Sequence, residues 1–255
     1  MKLTFIGNGN MAKALIRGLV KSYEIEVWGR NEKTLKNLKE SLPQIRTKVM
    51  DGAEDTSGKN IVLCVKPYSL PELSLKLTGK ANAIFSVLAG TSIESLKVNI
   101  KSERYIRTMP NLAASYLKSM TTITGDEELK ATALEIFNNI GTTLWLKTEN
   151  ELDIATGVAG SGPAFLALIA ESLADGAVNA GLKREDSQIL VQGLFDGFAS
   201  LIVHEAPARI KDGVMSPGGT TAAGYAALER CNVRHGMMEA VKDAYAKAQE
   251  LKQKN

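Results

Sequence analysis

Through the first 148 residues, short apolar runs take turns with stretches whose apolar positions recur every three to four residues. Residues 2–6 read as a strand and 11–21 as a helix, and 24–28 with 31–41 repeat the pair, which gives a βαβ opening. Further strand-like runs lie at 61–65, 83–88, 105–108, 121–124 and 142–146, with helical stretches between several of them, notably 127–139. That alternation predicts a mostly parallel, doubly wound sheet covered on both faces.

Near Glu149 the texture changes: no strand pattern follows and alanine becomes frequent. Phe165, Ile169 and Leu173 recur every four residues. Leu190, Leu194, Phe198 and Leu201 repeat at helical spacing, as do Met238, Val241, Tyr245 and Ala248. The fold class that follows is α/β: a Rossmann-type doubly wound domain over residues 1–148, then an all-α helical domain over 149–255. The helix expected at 184–204 carries a second apolar stripe, Val191, Phe195 and Ile202, so it is expected to pack against another subunit in an obligate dimer. The lysine-bearing tail, 251–255, reads as a solvated helix end.

Composition narrows the function. Thirty-one basic residues against 28 acidic leave a net charge of +3, too balanced for a chain built to grip nucleic acid or anionic lipid. No apolar run approaches the ~20 residues of a membrane helix, and 164–170 is among the longest. The opening residues enter a strand-like run directly, without a leader pattern, so a cytoplasmic location is expected. Cys64 and Cys231 lie far apart with no Cys/His cluster, which suggests neither a disulfide framework nor a metal site.

The densest chemical signal is Gly7-Asn8-Gly9-Asn10-Met11-Ala12, between the first strand and the first helix. In a dinucleotide-binding turn the first glycine allows the bend and the second lets backbone approach a pyrophosphate. The third position needs a small residue for helix–strand packing, here Ala12, and Gly18 adds another close-packing site. A structural turn is the alternative. At the end of the second strand, where NAD-binding units tend to carry a carboxylate, this chain has Gly29-Arg30-Asn31. A guanidinium pairs with a 2′-phosphate that a carboxylate would repel, so NADPH is favoured over NADH. A solvated loop arginine is the alternative there.

Loops after the later strands carry Val65-Lys66-Pro67, Ala89-Gly90-Thr91 and Met109-Pro110-Asn111, each a turn or part of a cofactor site. A second concentration of signals runs from Val214 through Ser216, Pro217, Gly218, Gly219, Thr220 and Thr221, just before a helix-like run. Pro-Gly-Gly ahead of Thr-Thr exposes consecutive N–H groups at a helix N-terminus, a nest suited to a carboxylate. A helix cap would explain the threonines without needing both glycines. His204 and His235 fall in no triad or metal spacing, and Cys64 sits inside an apolar strand. Hydride transfer, whose chemistry a cofactor carries, fits better than a side-chain nucleophile.

Taken in order and spacing, these motifs, with Arg107-Thr108-Met109-Pro110-Asn111 and Gly160-Ser161-Gly162-Pro163-Ala164, resemble the pyrroline-5-carboxylate reductases over essentially the whole chain. Ser216 to Thr221 is the most specific match. The resemblance implies NAD(P)H-dependent reduction of the C=N bond of 1-pyrroline-5-carboxylate to L-proline, the last step of proline biosynthesis. It also implies a helical domain interlocked with that of a partner in a dimer, often further assembled as a pentamer of dimers.

By that resemblance the substrate carboxylate lies on the N–H groups around Gly218, Gly219 and Thr220, beside Val214 and Ser216. Thr221 is the catalytic residue, hydrogen-bonded to the ring nitrogen. Glu205 matches an acidic residue near the substrate, and Glu171 is a second electrostatic candidate. Gly7, Asn8, Gly9, Asn10, Met11, Ala12, Arg30, Asn31, Val65, Lys66, Pro67, Ala89, Gly90 and Asn111 are the expected cofactor contacts. Two departures stand out: Tyr68 follows Lys66-Pro67 where many members carry glutamine, and the chain is short around Glu205-Ala206-Pro207. Two other readings remain. One is an enzyme of the same architecture on another cyclic imine or a hydroxy acid, against which counts the absence of lysine between Lys147 and Lys183. The other is an NADP sensor, in which 216–221 would serve only as a cap.

Overall fold

The structure is a computed structural model that describes residues 1–254, and side chains as far as Lys252. Asn255 and the side chains of 253–254, the end of the expected solvated tail, lie outside that description. The chain forms two compact units: Met1–Ser161 with the described part of Lys242–Asn255, and Gly162–Val241.

In the first unit β1 (Lys2–Ile6), α1 (Asn10–Leu19), β2 (Glu24–Gly29), α2 (Glu32–Ser41) and β3 (Arg46–Val49) come first. β4 (Glu54–Asp55), β5 (Asn60–Leu63), α3 (Leu70–Ser74), β6 (Leu77–Thr78), β7 (Ala81–Ser86), α4 (Ile93–Asn99) and β8 (Ser102–Met109) follow. β9 (Ser119–Gly125), α5 (Lys130–Asn138), β10 (Gly141–Trp145) and α6 (Glu149–Ala155) complete the succession, and a π-helical turn, Thr156–Gly160, extends α6. Eight strands form one sheet in the order β10-β9-β8-β7-β5-β1-β2-β3, while β4 and β6 pair separately. Neighbours in the large sheet run parallel except β8 and β9. The chain winds one way from β1 to β3 and the other way from β5 to β8, so the connections part between β1 and β5 and leave a crevice at the strand ends there.

Alternation within each strand feeds two cores. Leu3 and Phe5 point into one face with Leu15 and Leu19 of α1 and Phe137 of α5; Ile6, Ile61 and Ile84 serve the other with Leu70 of α3 and Leu96 of α4. Both faces are covered, as the sequence pattern predicts. β3 escaped that pattern because Arg-Thr-Lys-Val has no apolar alternation. It is an edge strand with three of its four residues exposed, and charge on an edge discourages pairing with other chains.

α6 starts on a capping box: Thr148 Oγ1 accepts from the Glu151 N–H at 3.1 Å, and the Glu151 carboxylate accepts from the Thr148 N–H at 3.1 Å. The end of the last helix is not a free solvated end. A Cβ placed on Gly90 would fall 2.6 Å from Leu251 Cβ, and Lys252 Nζ lies 3.7 Å from Asp153.

The second unit contains α7 (Gly162–Asn179), α8 (Arg184–His204), α9 (Pro207–Val214), α10 (Thr220–Arg230) and the beginning of α11 (Val233–Lys254). α7 buries only Ala174 and α8 only Ser187, while Ile189, Leu190, Leu194, Phe198, Leu201 and Ile202 of α8 are exposed. The continuous helical stretch Glu149–Asn179 is, by length and mean hydropathy, apolar enough to cross a membrane. No unbroken apolar run within it is that long, since Thr156, Gly157, Ser161 and Gly162 interrupt the apolar positions, and Ser161 is a turn residue.

Candidate active site

A cleft of about 770 Å³ opens at the carboxyl ends of β1, β2, β5, β7 and β8. Its floor is the turn after β1. Gly7 has φ +107°, and a Cβ there would fall 2.5 Å from the Cys64 carbonyl oxygen, so the bend requires glycine. Gly9 is the N-cap of α1 and makes no side-chain cap. A Cβ on Gly9 would meet nothing within 4 Å, so there is open space beside the N-cap of α1. The first turn has no acidic residue, and Ala12 is fully buried against the core. An uncapped helix N-terminus with room above it fits a pyrophosphate. Gly18 packs as expected, since a Cβ there would collide with Ile140 at 2.5 Å.

The end of β2 forms the next wall. Asn31 Oδ1 caps α2 by accepting from the Thr34 N–H at 3.0 Å, and Thr34 Oγ1 donates to the Asn31 carbonyl at 2.9 Å. Asn8 Nδ2 donates to Thr34 Oγ1 at 2.8 Å, tying the glycine turn to α2. The side chains of Asn8 and Asn31 thus brace the cleft as well as lining it. Arg30 stands exposed at the rim with Nη1 3.7 Å from Glu72 Oε2. No carboxylate occupies the end of β2 itself.

Val65, Lys66, Pro67, Tyr68 and Ala89 line the opposite side with Asn10 and Met11. Cys64 is also on the wall, and burial pushes its thiol up, which keeps it protonated and unsuited to nucleophilic work. Two expected contacts are engaged elsewhere. Gly90 sits against Leu251. Asn111 donates from Nδ2 to the Ala159 carbonyl at 2.9 Å and accepts at Oδ1 from the Ala113 N–H at 3.0 Å, which latches the π-helical turn to β8. Neither lines the cleft.

Arg107 belongs to the Arg107–Asn111 motif, but its task shows only in the fold. It is fully buried, donating from Nη1 to Glu149 Oε1 at 2.7 Å and from Nη2 to Asp153 Oδ1 at 2.9 Å. Gln249 and Lys252 complete the shell around Asp153, and Glu149 Oε1 also accepts from the Ile93 N–H at 2.9 Å. The available signal was one arginine inside an apolar strand with two carboxylates at i and i+4 spacing on a later helix. The cleft residues Trp28, Met50 and Glu72 were also missed, for they belong to no motif and reach the wall through strand and helix packing.

The second unit carries the other motif by itself. Gly218 has φ +71°, and Gly219 is the N-cap of α10 with no side-chain cap. The Gly219 N–H donates to the Ser216 carbonyl at 3.1 Å, and a Cβ on Gly219 would fall 2.5 Å from Ser216 Oγ. The loop thus needs glycine at Gly218, while a side chain at Gly219 would displace the Ser216 hydroxyl, and its backbone leaves the start of an eleven-residue helix without a side-chain cap. Thr220 and Thr221 are both exposed at that start, Val214 ends α9, Glu205 terminates α8 and Glu171 lies exposed on α7.

Comparison with known proteins agrees with both halves. Residues 149–251 match the family model described as pyrroline-5-carboxylate reductase dimerisation, and residues 2–90 the one described as NADP oxidoreductase, coenzyme F420-dependent. A pyrroline-5-carboxylate reductase of Synechocystis sp. is 37% identical, with the alignment spanning 100% of this chain and 99% of that one. One from Helicobacter pylori is 34% identical over 96% of this chain and 98% of its own. The solved 1-pyrroline-5-carboxylate reductase of Streptococcus pyogenes superposes with a TM-score of 0.86 at 29% identity, covering 98% of each chain. That of Plasmodium falciparum, solved with NADP bound, gives 0.79 at 26% identity over 99% of this chain and 98% of that one. By sequence and by fold, the chain belongs to the pyrroline-5-carboxylate reductase family.

Proposed function

We propose that this protein reduces 1-pyrroline-5-carboxylate to L-proline with NADPH, NADH being the lesser donor, as the last step of proline biosynthesis. The observation that carries the reading is the uncapped α1 N-terminus with Arg30 at the end of β2, in a chain 37% identical to a reductase of that name along its whole length. When bound, NADPH supplies the hydride that goes to the C=N carbon. The turn from Gly7 to Ala12 holds the pyrophosphate, Arg30 pairs with the 2′-phosphate, and Asn8 and Asn31 keep that wall rigid. Val65, Lys66, Pro67 and Ala89 flank the remainder of the cofactor. Gly90 supports it through backbone placement, and Asn111 through the side-chain hydrogen bonds that hold the π-helical turn.

The substrate's carboxylate is assigned to the N–H groups of Gly218, Gly219 and Thr220, with Ser216 fixing the loop and Val214 beside it. The Thr221 hydroxyl hydrogen-bonds the ring nitrogen, which is protonated before or during reduction so that the adjacent carbon becomes electrophilic. Negative charge at Glu205 and Glu171 favours that cationic form. Functionally the chain divides at 148/149, into a cofactor domain and a substrate-binding, self-associating domain. The exposed apolar faces of α7 and α8 support a homodimer, and a pentamer of dimers is the assembly proposed; the location is cytoplasmic.

The test is loss of absorbance at 340 nm with pyrroline-5-carboxylate and either NADPH or NADH. Rapid oxidation is expected, faster with NADPH. Replacing Thr221 with alanine should lower kcat by about ten- to a hundredfold, the worth of one hydrogen bond to a charged group, while NADPH Kd stays within about twofold. Unchanged turnover in that variant would remove Thr221 from the reaction. Cofactor binding without oxidation would move the assignment to another imine.

A further inference from the structure

We propose that Glu72 sets the strength of the preference for the 2′-phosphorylated cofactor, by competing with that phosphate for Arg30 and Lys76. The inference rests on the cofactor reading above and concerns residues within the cleft. Glu72 lies on α3, a five-residue helix, so it reaches the cleft from the far side of β5 rather than from the end of β2, where carboxylates that select NAD usually sit. Its Oε2 is 3.7 Å from Arg30 Nη1 and its Oε1 3.8 Å from Lys76 Nζ, and all three side chains line the cleft. One carboxylate thereby engages two cations of the rim.

Glu72 and Arg30 are 61% and 68% exposed, so their pair is a weak one that a better anion can displace. A phosphate is such an anion, since it carries nearly two charges and accepts charge-assisted hydrogen bonds from a guanidinium. Its arrival leaves Glu72 without its partners and beside a like charge. Both costs fall on NADP(H) alone, because NAD(H) offers an uncharged hydroxyl at the same place. Glu72 therefore narrows a preference that Arg30 would otherwise make steeper.

The experiment titrates wild-type protein and Glu72→Gln with NADP⁺, NAD⁺ and adenosine 2′,5′-bisphosphate, by calorimetry or by quenching of the cleft residue Trp28. The change should tighten NADP⁺ and the bisphosphate by about three- to tenfold at low salt, with the gain shrinking as salt rises. NAD⁺ should stay within about twofold of wild type. In an Arg30→Gln background the same change should gain less than in wild type. Equal affinities for NADP⁺ in the two proteins would overturn the proposal. So would equal tightening of NAD⁺, which would reduce Glu72 to a general negative field. Failure of wild type to bind either dinucleotide would instead overturn the cofactor reading on which the proposal stands.

Discussion

Phe137 and Phe198 both ride on helices, yet Phe137 is fully buried beneath the sheet with its ring 6.3 Å from that of Phe85, while Phe198 is 41% exposed on α8. The contrast extends to the whole of each unit. In the first, strands alternate and their buried side chains pack against helices of the same unit in two cores. In the second, two helices of 18 and 21 residues each bury a single side chain. The stability of a sheet unit that closes its own core does not depend on dilution. A helical unit that displays leucines along two helices draws its stability from whatever covers them, and the match of 149–251 to a dimerisation family supports the proposal above that the cover is a second copy.

The largest effects should separate the two directly. Phe137→Ala removes a packed ring and should cost about 3–5 kcal/mol of stability, whatever the protein concentration. Leu194→Glu should leave the sheet folded but split the oligomer, so that sedimentation reports a smaller species and Tm loses the rise with concentration that wild type shows. An unchanged sedimentation coefficient for Leu194→Glu would put the dimer contact elsewhere on the helices.

A second pair of variants compares charge instead of apolar area. Arg107 lies inside the first unit with both its carboxylates, so Arg107→Met strands Glu149 and Asp153 and should cost about 3 kcal/mol or more, readable in urea unfolding. Arg104 pairs with Glu128 at 2.9 Å on the same strand's exposed side, and Arg104→Met should cost about 1 kcal/mol or less. Similar losses for the two would mean that the Arg107 network is solvated in solution.

What the sequence disclosed tracks what periodicity can encode. β1 falls where alternation and the glycine turn place it, and the other predicted strands overlap the observed ones within a few residues, because a two-sided core demands apolar runs of that length. The reversal of β9 against β8 was not legible, since direction is set by the path of the chain between Pro110 and Lys118 and not by strand composition. The cofactor cradle was legible because backbone geometry requires glycine at Gly7, and Gly9 with Ala12 completes the spacing of the turn. Gly90 and Asn111 were read as contacts because a strand end suggests one, and only packing reveals that Leu251 and Ala159 engage them. Glu72 was invisible for the opposite reason, as a charged residue on a short helix looks solvated until the fold brings it beside Arg30.

Arg30 should give the next smaller effect. Arg30→Gln should weaken NADPH by about tenfold, the worth of one charge-assisted pair, and leave NADH nearly unchanged in direct titrations. Equal weakening of both would assign Arg30 to the adenine or the pyrophosphate instead of the 2′-phosphate.

The smallest effect returns to the helical unit and its exposed charges. Glu229 on α10 is held by Arg234 and by the hydroxyl of Tyr225, at 2.7 Å, and these hydrogen bonds bring its carboxyl down to about 2 from an ordinary 4.5. A depressed carboxylate stabilises the folded state where it is ionised in both folded and unfolded chains. Its contribution is therefore full above pH 4.5 and is lost as pH falls through about 2. Wild type should exceed Glu229→Gln in stability at neutral pH by a small margin that closes over that interval and shrinks in about 0.5 M salt, because the group is exposed and screened. The Arg107→Met deficit should not shrink in the same salt, since the Arg107 and Asp153 side chains are each only 2% exposed. Equal salt sensitivity of the two deficits would erase the distinction between an interior that excludes solvent and a helical surface that does not.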